Sequence, residues 1–300
     1  MSNLIPLVRS PASTSNRDLV TAIVASATRL PSPSPLLARI LQVAVDPDAD
    51  VDALVAVARL ESALVARLMR AANSSFYKRS FDVTSFERAA VVLGRSEVLR
   101  LVLGQATRWL REAKLGGYHS DGEEVWRKSL YCAIAAEELA SRKGGVSPSI
   151  AYTAAMLLDI GKAALSQWLR ESDEQVVGLL GSAPPTDGFD AIERGCFGID
   201  HAELGAILAE TWQFPPSIAA AIRYHHTPEA APDHARRLAF IVHVADGLSM
   251  MVAAPSGIDG LRYPLAAAWE AETGLAESDI DSLMGAIVEA GQRSESFFQS

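Results

Sequence analysis

Residues 151–165, AYTAAMLLDIGKAAL, end an apolar helical run on a single carboxylate, Asp159, ahead of a Gly-Lys turn and a second helical run. A carboxylate taken out of water without a partner is costly, so a chain built on this segment must bring a cation, a metal or hydrogen-bond donors to it. The plainer alternative is that Asp159 caps the following helix with its side-chain oxygen. Either way the segment demands helices packed on both sides of it.

The rest of the chain supplies them. From Asp18 onward the apolar residues recur at helical spacing, and no strand-type alternation competes. Ser34-Pro35 precedes LLARILQVAV and Asp50 precedes VDALVAVARL, each a helix start. SALVARLMRAANS sets Leu64, Val65, Leu68, Met69 and Ala72 on one face. Thr84 and Glu87 are spaced as a capping box, and Gly94 closes that helix. SEVLRLVLGQATRWLREA then reads as one long helix with Val98, Leu99, Val102, Leu103, Ala106, Trp109 and Leu110 inward. Later come VWRKSLYCAIAAEELA, HAELGAILAETW behind Asp200, PPSIAAAIRYHH, HARRLAFIVHVADGLSMMVA and a last helix from about Ser278 to Phe297. The fold expected is all-α. Residues 1–16 read as a loose arm, 17–115 as an N-terminal helical subdomain and 116–300 as a second helical half, divided at Gly116-Gly117 and the polar run to Glu124.

Composition narrows the function classes. A net charge of −9 disfavours a nucleic-acid partner held by bulk electrostatics. There is no apolar run of membrane-spanning length, and the opening MSNLIPLVRS has too short an apolar core for a secretory signal, so a cytoplasmic protein with no membrane partner is expected. Cys132 and Cys196 read as reduced packing residues, and no phosphate-cradling glycine loop is present.

Several polar residues fall where core residues belong. His201 shares a face with Leu204 and Leu208, His225 lies seven residues after Ile218, Asp246 one turn after Val242, and Lys128 between Val125 and Cys132. Singly, each is ordinarily a hydrogen-bonded core residue. Imidazoles and carboxylates converging from separate helices are also what a metal-assisted phosphohydrolase needs, because they hold a cation and leave room for an activated water.

These residues carry a resemblance over roughly 28–251. LPSPSPLLARILQVAVDPDADVDALVAVARLESALVARLMRAANSSFY, VTSFERAAVVLGRSEVLRLVLG, W-R-K-S, LLDIGK, HAELGAILAETW and IRYHH, in that order, resemble an HDOD protein, the bacterial signalling branch of the HD phosphohydrolase superfamily. The resemblance implies four core metal ligands: a helical His, the His-Asp pair and a later Asp. Lys128 stands at the first position, Leu158 at the His of the pair, and Asp159 and Asp246 at the two carboxylates. His201 and His225 match positions that supply further imidazoles in some HD enzymes. With a cation and an apolar side chain at two of four ligand positions, the expectation is a vestigial site with no metal, no cofactor and no catalysis.

The function expected is therefore a regulatory module that binds a signalling protein or a small signalling ligand. The alternative is a metal-dependent phosphodiesterase using His201, His225, Asp159 and Asp246. In NSSFY, Asn73 is expected to end its helix and Phe76 to plug the core, with Tyr77, Lys78 and Arg79 as a possible partner surface.

Overall fold

The computed structural model describes residues 16–300 except 31–34, 47, 75, 78–81, 185, 254–256, 260–262 and 299–300. The loose arm expected over residues 1–16 therefore lies outside the described residues save Asn16, as do Lys78 and Arg79. Among the described residues every regular element is helical. The first half comprises α1 (Asn16–Ala27), α2 (Pro35–Val45), α3 (Val51–Ala58), α4 (Ser62–Ala72), α5 (Phe86–Ala106) and α6 (Arg108–Arg111). After a 3-10 turn at Gly116–Tyr118 come α7 (Gly122–Lys143), α8 (Pro148–Met156), α9 (Ile160–Glu171), α10 (Asp173–Ser182) and α11 (Phe189–Phe197). The chain ends with α12 (His201–Thr211), α13 (Pro216–Tyr224), α14 (Asp233–Ala253), α15 (Trp269–Thr273) and α16 (Ile280–Phe298).

Side-chain caps start the helices that frame the interior. The carboxylates of Asp50, Asp121 and Asp200 accept from the amides of Ala53, Glu124 and Glu203 at 3.0, 2.8 and 2.7 Å. Each such cap contributes about 1 kcal/mol by satisfying an otherwise orphaned donor. The cap of α5 is not Thr84 but Ser85, whose hydroxyl accepts from the Arg88 amide. The cap is thus displaced by one residue, and with Arg88 three residues on it is a single cap, not the expected reciprocal box. Gly94, at φ +77°, breaks the run as expected. The long helix expected beyond it stops early at Thr107, so Trp109 lies on the short α6 and is half-buried rather than inward.

Asn73 ends α4 and clasps Val83 with its amide, donating to the carbonyl at 2.9 Å and accepting from the N–H at 2.8 Å. Phe76 does not plug the core: it is 58% exposed, with the Arg293 guanidinium 4.6 Å from its ring centroid. Tyr77 instead packs inward on Phe297.

A single apolar core runs through both halves. Leu37, Ile40 and Leu41 of α2 and Leu99 and Leu103 of α5 belong to the same buried cluster as Tyr152, Met156 and Leu208. Helices α2 and α5 pack on α8, α1 packs on α9 and α12, and α16 lies against α5 and α7. A buried charge network pins α5 to α7: Arg100 donates to Glu137 through Nε and Nη2 at 3.0 and 2.7 Å and to Glu97 at 3.2 Å. Helices α7, α8, α9, α12, α13 and α14 enclose a second polar centre.

Candidate functional site

The second centre forms around Asp159. The residue stands at the N-cap position of α9, yet its side chain makes no cap hydrogen bond. It turns into the interior, where Lys128 of α7 donates to Oδ2 at 2.8 Å and Lys162 of α9 lies 3.1 Å from Oδ1. The same Lys128 ammonium contacts Asp246 of α14, so one cation bridges two carboxylates from different helices. Lys162 donates in turn to Asp259 at 2.7 Å. All five side chains are buried, Lys128 to 3% exposure.

Charges so buried persist only because they face one another. Burial alone would pull the Lys128 ammonium down, but Asp159 and Asp246 outweigh it and hold it well above the ordinary lysine value. For Asp159, burial pushes upward and is overcome by Lys128, Lys162 and His201, which hold the carboxyl well below its usual range. Lys162, also desolvated, is kept raised by Asp159 and Asp259. The five groups thus form an alternating chain: Asp246, Lys128, Asp159, Lys162 and Asp259.

An imidazole cluster adjoins this chain. His201 opens α12, and both its backbone N–H and its Nδ1 meet Glu193 Oε2, at 2.8 and 2.7 Å. The other Glu193 oxygen accepts from the buried Tyr118 hydroxyl at 2.6 Å. His201 Nε2 lies 3.7 Å from Asp159 Oδ1 and 2.9 Å from His226 Nε2. Close approach of α9 to α12 makes this possible, because a Cβ at Gly161 would fall 1.9 Å from the His201 carbonyl oxygen. Burial lowers the His201 imidazole, but Glu193 prevails and raises it. Burial and the neighbouring imidazoles depress His226 well below the ordinary histidine value. The two rings that meet at 2.9 Å are thus shifted in opposite directions.

His225 differs from both. Its Nδ1 donates to the Ile222 carbonyl at 2.7 Å, which leaves Nε2 as an acceptor, and that atom has no hydrogen-bond partner among the described residues. Burial, with His201 beside it, lowers this imidazole to about 4, so the ring is neutral with a free lone pair. Nitrogens of His201, His225 and His226 all lie within 4.8 Å of one another. His226 stacks on Tyr263 at 4.2 Å. Leu158 is buried among apolar residues and offers no donor.

The structure therefore brings together Lys128, Asp159, Asp246, His201 and His225, with Leu158 alongside in the core and Tyr77 elsewhere, between α4 and α16. Sequence reasoning missed Lys162, Asp259, Glu193, Tyr118, His226 and Tyr263. Two of these carried a signal. Lys162 follows Asp159 by three residues, a helical pairing distance. Glu193 sits one turn from Phe189 and from Phe197 on an apolar face of α11. Asp259 and Tyr263 come from the loop after α14, where no periodicity points inward.

An all-helical protein with a buried centre of acids, lysines and imidazoles drawn from several helices and their ends is the class this geometry defines. The HDOD domain family model matches residues 30–228, and the chain belongs to that family. It is similar to the crystal structure of an HDOD domain protein of unknown function from Geobacter sulfurreducens, with a TM-score of 0.68 and 23% identity over 91% of this chain and 97% of that one. It also resembles a Marinobacter aquaeolei protein named provisionally for signal transduction, with a TM-score of 0.69 and 26% identity over 93% of this chain and 66% of that one. An uncharacterized protein of Treponema pallidum is 24% identical over 220 residues, 71% of this chain. The match spans only 40% of that relative's length. Among the described residues no helix is long and apolar enough to cross a membrane.

Proposed function

We propose that this HDOD protein is a non-catalytic signal-transduction module whose HD-type ion position is held by a lysine side chain. The observation that carries this reading is the Lys128 ammonium between Asp159 and Asp246, the two carboxylates that the family resemblance assigns to a metal. A divalent cation there would meet a fixed positive charge, and Leu158 supplies no ligand atom. The residues present do not fit a metal at that position. The similarity to the Marinobacter protein supports the signalling context, and the output is binding of a signalling protein or a small signalling ligand.

The test is metal analysis of the purified protein together with a phosphodiester and phosphomonoester hydrolysis screen. Sub-stoichiometric metal and no turnover with added Mn²⁺ or Fe²⁺ are expected. The double variant Lys128→His with Leu158→His restores both ligand types and is expected to gain metal binding; stoichiometric metal in the unaltered protein would sink the proposal.

The His201, His225 and His226 cluster favours a second reading, metal-dependent phosphohydrolysis at a displaced site, because three imidazole nitrogens converge and one lone pair is free. The two readings part on one substitution. Loss of both bound metal and turnover in His225→Gln would establish the second.

A further inference from the structure

We propose that a cavity between α6, α9 and the 3-10 turn at Gly116–Tyr118 is a binding site for a mononucleotide. The cavity, of ≈ 380 Å³, is lined by Trp109, Trp212, Lys114, Ser166, Gln167 and Arg170 among others. That volume falls in the usual range for small-ligand sites and suits a mononucleotide. The two indoles meet edge to face at 6.0 Å, so each holds the other's orientation and the pair forms a rigid aromatic wall. Trp109 Nε1 is buried and has no hydrogen-bond partner among the described residues.

Cations stand at the rim. Lys114 and Arg170 are exposed, and neither makes an ion pair with a described residue. An aromatic wall supplies stacking for a base, and a guanidinium with an ammonium supplies contacts for a phosphate. Neither feature alone selects a nucleotide; together in one cavity they do. The floor is built for close approach: a Cβ at Gly117 would fall 2.0 Å from the Ser166 carbonyl oxygen, so only glycine lets the turn lie flush against α9. The Gly117 N–H donates to Ser166 Oγ at 3.1 Å.

The cavity is separate from the imidazole cluster but mechanically joined to it. Ser166 lies one turn after Lys162 on α9, and Gly117 precedes Tyr118, which holds Glu193 and through it His201. A ligand that presses on α9 and the turn acts on both connections. The site stands whether or not the central cluster holds a metal.

Calorimetric titration of the full chain with AMP, GMP, adenosine and inorganic phosphate tests the assignment. At least one of the two nucleotides is expected to bind at least tenfold more tightly than adenosine or phosphate. Trp109→Ala is expected to weaken that binding about tenfold or more, and Glu289→Gln, an exposed change on α16 away from the cavity, to leave it unchanged. Should Trp109→Ala fail to fold, Arg170→Glu changes only an exposed side chain and is expected to abolish the preference for nucleotide over nucleoside. No detectable binding of AMP or GMP at millimolar concentration overturns the proposal, as does nucleotide binding that survives Arg170→Glu or is lost in Glu289→Gln.

Discussion

The ion networks buried around Arg100 and around Lys128 are built differently. Around Arg100 a planar guanidinium forks onto Glu137 and reaches Glu97, directional hydrogen bonds that join α5 to α7. Around Lys128 a compact ammonium bridges carboxylates from two other helices, and a second ammonium, Lys162, extends the chain. A guanidinium specifies geometry through its fork, whereas an ammonium acts as a point charge and can stand where a metal ion would. The Arg100 network is a fastening. The Lys128 network keeps the layout of an ion site, with an imidazole cluster and an unpartnered lone pair at its edge.

Breaking the bridge is expected to give the largest effect. Lys128→Ala leaves two buried carboxylates, one of them wholly dependent on this lysine among the described residues, and should destabilise the protein by about 3–5 kcal/mol in urea unfolding. A loss below about 1 kcal/mol would show that the bridge is dispensable. Arg100→Lys keeps the charge of the other network but removes the fork, and a cost of about 1.5–3 kcal/mol is expected. If that substitution were neutral, the contrast between fork and point charge would fail.

Acid sharpens the comparison further. Asp159 is held below its ordinary range, so the unfolded chain binds more protons there between about pH 4 and the lower folded value. Its contribution to stability is present above about pH 4 and is lost as pH falls through the folded value. Thermal unfolding followed from pH 6 to pH 2 should show a steep acid limb that is shallower in Lys128→Ala, whose Asp159 has lost its largest source of depression. Equal slopes in the two proteins would place the acid sensitivity elsewhere. The smallest expected effect is that of chelation: millimolar EDTA should leave the melting temperature unchanged, and a fall of several degrees would mean that a cation, not Lys128, holds the centre.

The helical architecture was legible because its causes are local. Apolar residues at helical spacing, aspartate caps at Asp50 and Asp200, and the break at Gly94 all act within a few residues of where they stand. The slip from Thr84 to Ser85 has the same origin, since adjacent hydroxyls offer the backbone nearly the same cap and the packing of α5 chooses between them. Phe76 was misplaced for a different reason. Its hydrophobicity argued for the core, but Tyr77 beside it takes the inward position on Phe297.

The demand for a partner at Asp159 was a property of the chain alone: a carboxylate at the end of an apolar helix cannot stay unpaired once the helix is buried. Which partners answer it depended on the fold, because Lys128, Lys162 and His201 reach Asp159 from α7, α9 and α12, and Asp259 completes the lysine pair from a loop 97 residues beyond Lys162. Electrostatic need is set by burial and can be read from pattern. Electrostatic satisfaction is set by distance, which falls off over a few ångströms that only the packing of distant helices determines.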